Sequence, residues 1–272
     1  MRDPDALLVR PDDVGATATG TAVLVLAGSS GALEDQRCRV LAAQGATALT
    51  IRWFGGPGQQ PSPFEVPVET FTAALDRLAP DADRLAVVGS SFGAEAALLT
   101  ASLDPRVDAV VALAPSSVVW AGVDEQGRQT SHWTWGARPV PFAPFDDSWS
   151  ADTDPPSYRR LYEQSLRRHA EEAAAAAIPV ERIDGDVVLV AGEDDQVWPA
   201  ADFARAIAAR RTSHGRTTVV VTHPGAGHRV VLPGEVPVER GRAMVRGGGA
   251  EADAELGRLA WPHVLRSLRL GP

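Results

Sequence analysis

The sequence predicts an α/β fold: a mostly parallel central sheet with helices on both faces. Three observations predict it. Short, continuous apolar runs recur along the chain (TAVLVLA at 21–27, VDAVVAL at 107–113, VVLV at 187–190), as in strands covered on both sides. Helical segments alternate with them, which implies parallel crossover units. At 85–99, LAVVGSSFGAEAALL passes from strand to helix through a Gly-x-Ser-x-Gly pentad.

The elements follow in order. Ala6 to Val9 is a weak strand and Thr21 to Ala27 a buried one. Gly28-Ser29-Ser30-Gly31 leads into a helix from Leu33 to Gln44, which Gly45 stops. Thr47 to Trp53 is the next strand, and the Gly- and Pro-dense loop 54–63 follows it. An amphipathic helix from Val68 to Leu78 precedes the pentad strand. After the pentad helix and Val107 to Leu113, the rhythm breaks from about 115 to 180. That stretch holds many prolines, Trp120, Trp133, Trp135 and Trp149, and a helix from about Ser157 to Ala177. A long aromatic insertion after a sheet strand reads as a lid over a site, or as a segment packed onto the body. Val187 to Val190, a helix from Ala200 to Arg210, a buried strand from Thr217 to Thr222 and a last helix from Ala250 to Arg269 complete the chain, read as one domain over 1–272. In such sheets, sites lie beyond the carboxyl ends of the strands. The loops beginning at Gly28, Phe54, Ser90, Ala114 and Gly192 are therefore expected to converge.

Chemistry centres on the pentad. A serine nucleophile must stand at a strained turn with its hydroxyl exposed, and Cβ atoms two residues to either side would collide with strand and helix. Gly89 and Gly93 meet that need around Ser91. The helix N-terminus then aims the Phe92 N–H at the place where an oxyanion forms. A second donor is expected from the loop after the first central strand, with the Ser29 N–H first and Ser30 next.

Serine needs a base, usually histidine, oriented by a carboxylate, and this fold class orders them Ser, acid, His. VVLVAGEDDQVWP runs a strand into an acidic loop, from which Asp195 is chosen, with Asp194 as the alternative. These acids can also cap the helix near Pro199. Of six histidines, only His228 lies in a glycine-rich loop (PGAGH) just past a strand; His223 is the runner-up.

Composition narrows the class. The 272 residues are 44% apolar and 22% charged, enough for a large core. A net charge of −9 argues against nucleic-acid binding, and no apolar run reaches membrane-spanning length. One cysteine, Cys38, excludes an internal disulfide or a thiolate zinc site, and no histidine pair has metal-ligand spacing; no metal or cofactor is expected. The start lacks signal-peptide features, so a cytoplasmic protein is expected. Every basic residue is arginine; Arg128, Arg138, Arg159 and Arg160 are candidate contacts for a phosphate or carboxylate, or else surface charge.

The stretches VLVLAGSSG, ALTIRWFGGPG, VVGSSFGAEAALL, DPRVDAVVALAPSSVVW, LVAGEDDQVWP and HPGAGH resemble the catalytic domain of the acyl-CoA thioesterase / bile acid-CoA:amino acid N-acyltransferase family, in the α/β-hydrolase superfamily. Dienelactone hydrolases are a more distant likeness. The resemblance implies attack on an acyl-CoA thioester, an acyl-enzyme on Ser91, and transfer of the acyl group to water or an amine. It carries the triad onto Ser91, Asp195 and His228, and the oxyanion donors onto Phe92 and Ser29. Eukaryotic members have an N-terminal β-sandwich; with about 20 residues before the first central strand, none is expected here. The amino-acid transferases use cysteine at the elbow, so Ser91 favours hydrolysis. Many members have lysine where this chain has Phe92. The expected substrate is a small-molecule acyl thioester, with CoA as the thiol. Carboxylesterase or lactonase action, and acyl transfer, are the alternatives. Trp53, Trp120, Trp133 and Trp135 are candidates to line the acyl site.

Overall fold

The protein is described from a computed structural model covering residues 5–237 and 242–271. Seven strands form the central sheet: β1 (Ala6–Val9), β2 (Thr21–Leu26), β3 (Thr47–Ile51), β4 (Arg84–Ser90), β5 (Val107–Leu113), β6 (Asp186–Gly192) and β7 (Val219–His223). Their order is β1-β3-β2-β4-β5-β6-β7. β1 runs antiparallel to β3, and every other neighbouring pair is parallel. Pairing of Leu26 with Gly89 brings the loops after β2 and β4 side by side.

The helices are α1 (Asp35–Ala42), α2 (Glu69–Leu78), α3 (Phe92–Leu103), α4 (Arg159–Arg168), α5 (Ala170–Ala175), α6 (Ala200–Ser213) and α7 (Ala250–Leu268). Successive strand side chains point to opposite faces. Val23, Val25, Val88, Val111 and Val190 pack with Cys38 and Leu41 of α1 and Leu256, Ala260 and Val264 of α7. Leu24, Leu26, Val87, Val110 and Leu189 pack with α2, α3 and α6 on the other face. Both faces are covered, which is why the central strands read as unbroken apolar runs. Cys38 is wholly buried, and burial pushes its thiol up, away from reactivity.

Three expectations change. The single helix expected over 157–177 is two, α4 and α5, with His169 at the break in a non-helical conformation (φ −115°, ψ 48°). The strand expected to be buried near 217–222 is the sheet's edge strand, leaving Val219 and Val220 each 37% exposed, because β7 has one neighbour. Short strands also appear within and beside the insertion: Ala121–Val123 pairs antiparallel with Gln129–Ser131, and Trp133–Trp135 lies between Arg138–Pro139 and Val66–Pro67. Trp120, Trp133 and Tyr162 bury themselves in the same core as α2, α3 and α6, fixing the insertion to the sheet. Among the described residues, no helix is long and apolar enough to cross a membrane.

Candidate active site

The loops after β2, β4, β5 and β6 converge on a cavity of about 720 Å³. Ser91 stands at its wall, at φ 57° and ψ −123°, a strained backbone for a residue with a Cβ. Ala114, at the end of β5, is also left-handed at φ 48°. The Ser91 N–H donates to the Leu113 carbonyl at 2.9 Å, and the Ser91 carbonyl accepts from Ala94 and Glu95, so the strain is held by β5 and α3. A Cβ on Gly89 would overlap the Gly93 carbonyl, and one on Gly93 would overlap the Ala27 and Leu26 carbonyls. One on Gly28 would lie 3.0 Å from the Ser91 Cβ. The β2 loop therefore touches the elbow, and Ser29 and Phe92 both line the cavity. As the first residue of α3, Phe92 has no i−4 helical acceptor for its N–H.

Asp195 is wholly buried and uses both oxygens. Its Oδ2 lies 2.7 Å from His228 Nδ1, while Oδ1 accepts the N–H groups of Val197 and Trp198 at 2.8 and 3.2 Å. Asp195 thus closes the turn into α6 and holds the imidazole at once. Asp194 faces elsewhere, with Oδ2 accepting the Gly248 N–H at 2.8 Å. The acid and base loops are stitched together: Asp194 N–H donates to the Ala226 carbonyl, and both Gln196 and His228 donate to the Arg246 carbonyl. A Cβ on Gly192 would overlap the Ala226 and Gly227 carbonyls, so these loops need glycine to meet. His228 lines the cavity, with Trp198 edge-on to its ring at 5.6 Å. His223 is turned to its own loop, its Nδ1 accepting the Gly225 N–H.

The expected aromatic lining lies elsewhere. Among the described residues, Phe54, Phe92, Phe145, Tyr158 and Tyr162 line this cavity, and Trp53, Trp120, Trp133 and Trp135 do not. Trp53, Trp120 and Trp133 are core residues, and Trp135 is 40% exposed beside a separate cavity. Tyr162 stays protonated: burial raises its phenol, aided by the charges of Glu95 and Asp195. The four candidate arginines also fall outside the cavity lining. Arg159 Nη1 donates to the Asp195 and Glu193 carbonyls, bracing the acid loop, and Arg128 and Arg160 pair with Asp124 and Asp152. Arg138 is exposed near Trp135. Instead Arg37, Arg229, Arg242 and Arg246 line the cavity. Among the described residues, no group of three or more His, Cys, Asp or Glu side chains could hold a metal ion.

Arg37 is a residue of the candidate site that sequence reading missed. Its guanidinium grips both Glu235 oxygens, at 2.6 and 3.1 Å, and its Nη1 donates to Ser90 Oγ at 2.5 Å. It ties α1 to the elbow and to the loop beyond His228. Burial works to lower its pKa, but the charges of Glu235 and Glu34 more than offset this and raise it. The only sequence signal was a charged side chain beside Cys38, in the buried stripe of α1. Arg37→Met is expected to lower unfolding free energy by about 3–5 kcal/mol, since it strands a buried carboxylate. Arg37→Met/Glu235→Leu should regain most of the loss in urea denaturation. A single-variant loss below about 1 kcal/mol would show the pair to be dispensable.

The family described as BAAT / Acyl-CoA thioester hydrolase C terminal matches residues 66–269. Acyl-coenzyme A thioesterase 6 of Homo sapiens is 23% identical over 282 residues, covering 95% of this chain and 61% of that protein. Acyl-coenzyme A amino acid N-acyltransferase 2 of Mus musculus is 25% identical over 260 residues, covering 91% of this chain and 59% of that protein. The chain thus spans 59–61% of the length of these relatives. Among solved structures, a putative dienelactone hydrolase from Klebsiella pneumoniae shares the fold, with a TM-score of 0.56 and 17% identity over 97% of this chain and 92% of that one.

Proposed function

The chain belongs to the BAAT / Acyl-CoA thioester hydrolase C-terminal family and has an α/β-hydrolase fold, and from that premise we propose that it is a serine hydrolase cleaving acyl thioesters. The observation that carries this reading is the 2.7 Å contact of Asp195 with His228, on the cavity that Ser91 also lines from its strained turn.

In the proposed mechanism His228 takes the Ser91 proton as Oγ attacks the thioester carbonyl. The N–H groups of Ser29 and Phe92 receive the developing oxyanion. The C–S bond then breaks, and His228 returns the proton to the leaving thiolate. Water repeats the cycle against the acyl-enzyme, with His228 again as base and Ser91 as the leaving group. Asp195 keeps the imidazole in the productive tautomer and balances its charge. Serine rather than cysteine at the elbow favours water as the acceptor. Arg229, Arg242 and Arg246, which line the cavity, suit the phosphates of a CoA carrier. The insertion over 115–180 acts as a cap, supplying His132, Phe145 and Tyr162 to the wall.

The test is steady-state turnover of an acyl-CoA panel, short to long and aromatic, beside p-nitrophenyl esters. A kcat/KM for one CoA class well above that for the esters is expected. Ester turnover with inert CoA thioesters would replace the thioesterase reading with a carboxylesterase or lactonase one. Faster release of CoA on adding an amine or alcohol, with formation of its acyl product, would indicate transfer.

A further inference from the structure

Two histidines line the cavity, and each has a buried carboxylate at Nδ1. His228 has Asp195. The second is His132, whose Nδ1 lies 3.2 Å from Glu95 Oε1. Glu95 sits four residues after Ser91 on α3 and is wholly buried. The same Oε1 accepts the main-chain N–H of Trp120 at 3.1 Å and the indole N–H of Trp133 at 2.7 Å. Among the described residues its Oε2 has no hydrogen-bond partner.

This arrangement fixes the direction of the His132–Glu95 hydrogen bond. Oε1 already receives two N–H groups, the Trp120 main chain and the Trp133 indole, so it meets its third partner, His132 Nδ1, as an acceptor. Nδ1 is therefore the nitrogen that carries the proton in this contact and donates it. In the neutral ring Nε2 is then an acceptor, and it is the nitrogen left for the cavity. The ring cannot turn freely: it packs on Phe92 at 4.4 Å between centroids and on Trp133 at 5.6 Å. Phe92 directly follows Ser91, so this nitrogen lies one side chain from the elbow. Its ring neighbours, Phe92 and Trp133, are apolar, and Ala121, Phe145 and Leu161 belong to the lining of the same cavity. A fixed acceptor beside apolar rings is poorly matched to a plain hydrocarbon chain, which would leave it unpaired.

We propose that His132 is a specificity residue that accepts a hydrogen bond from a hydroxyl on the substrate's acyl chain, so that hydroxyacyl thioesters are the preferred substrates; this rests on the thioesterase reading above. The relay O–H to Nε2, then Nδ1–H to Glu95, matches each donor with an acceptor. An acyl chain ending in carboxylate fits less well, because a carboxylate has no proton to donate to Nε2.

The test compares kcat/KM for butyryl-CoA, its 2-, 3- and 4-hydroxy derivatives and succinyl-CoA, with the same acyl groups as aryl esters and with Ser91→Ala as control. At least one hydroxybutyryl isomer should exceed butyryl by about tenfold, and succinyl should not. In His132→Phe, checked for native folding by circular dichroism, that ratio should fall to about one. Should His132→Phe not fold, a crystal structure of Ser91→Ala with the preferred acyl-CoA decides, and a hydroxyl bonded elsewhere than Nε2 overturns the proposal. Ser91-dependent turnover without a hydroxyl preference, or a preference that survives in folded His132→Phe, overturns it and leaves the thioesterase reading standing. Absence of Ser91-dependent turnover of either acyl group, as thioester or ester, overturns both.

Discussion

Ser91→Ala is expected to lower kcat on the best acyl thioester by about 10⁴–10⁶-fold with little change in thermal stability. The size follows from the chemistry. Without Oγ no acyl-enzyme forms, and what remains is uncatalysed attack by water on a carbonyl still held in the oxyanion site. Folding should survive because the turn is built from the backbone. The Ser91 N–H bonds to the Leu113 carbonyl, the Ser91 carbonyl accepts from Ala94 and Glu95, and the left-handed φ of 57° is already borne by a residue with a Cβ. A fluorophosphonate probe should label the wild type on the peptide containing Ser91 and leave the variant unlabelled.

Ser90→Ala is the informative neighbour. Both serines line the cavity, but the Ser90 hydroxyl is engaged by Arg37 at 2.5 Å. Its loss should cost activity far less, on the order of tenfold or below, through slackening of the Arg37 contact. Equal losses in the two variants, or labelling of Ser91→Ala, would move the nucleophile from position 91.

Where the chain declares itself and where it stays silent have physical causes. The central strands are legible because parallel strands covered on both faces must be apolar at every position, as in Val23, Leu24, Val25 and Leu26. The run TTVVVT carries the same pattern yet forms the edge strand, since composition records β propensity and not the number of neighbours. The break at His169 is silent because the Arg-, Leu- and Gln-containing run before it and the alanine run after it both favour helix. Tyr162 and Ser165 of α4 and Ala173 of α5 are buried on the two sides of the break. Strands of two or three residues, such as Val66–Pro67, are too short to show any period.

The site divides along the same line. Ser91, Asp195 and His228 each follow a strand's carboxyl end in a loop whose glycines have a steric purpose, so local sequence marks them. The Arg37–Glu235 pair spans 198 residues, and nothing near either partner points to the other. Glu95 falls in an Ala/Leu helix where a lone acid normally faces solvent; it is buried because three donors from other segments meet it. The tryptophans mislead for the opposite reason. Aromatic density in an insertion signals contact with something, and here Trp120 and Trp133 find it in the core, where Trp53, outside the insertion, is buried too.

Asp195→Asn should lower kcat/KM by about 10⁴-fold while preserving the fold, and the hydrogen bonds around the carboxylate explain why. Oδ1 accepts two main-chain N–H groups, from Val197 and Trp198. In the variant, the amide carbonyl must take that place, because an NH₂ group there would face two donors. The NH₂ therefore turns toward His228 Nδ1, where the carboxylate had accepted a hydrogen bond at 2.7 Å. It donates, and the imidazole must answer as an acceptor at Nδ1 with its proton on Nε2. That tautomer cannot take a proton from Ser91. Asp194→Asn is the control. Asp194 Oδ2 accepts the Gly248 N–H and Oδ1 the Gln196 side chain, so the substitution disturbs a loop without reaching His228. Steady-state kinetics on the pair separates the two carboxylates. A larger loss in Asp194→Asn than in Asp195→Asn would assign the orienting role to the wrong side of this loop and undo the triad proposed here.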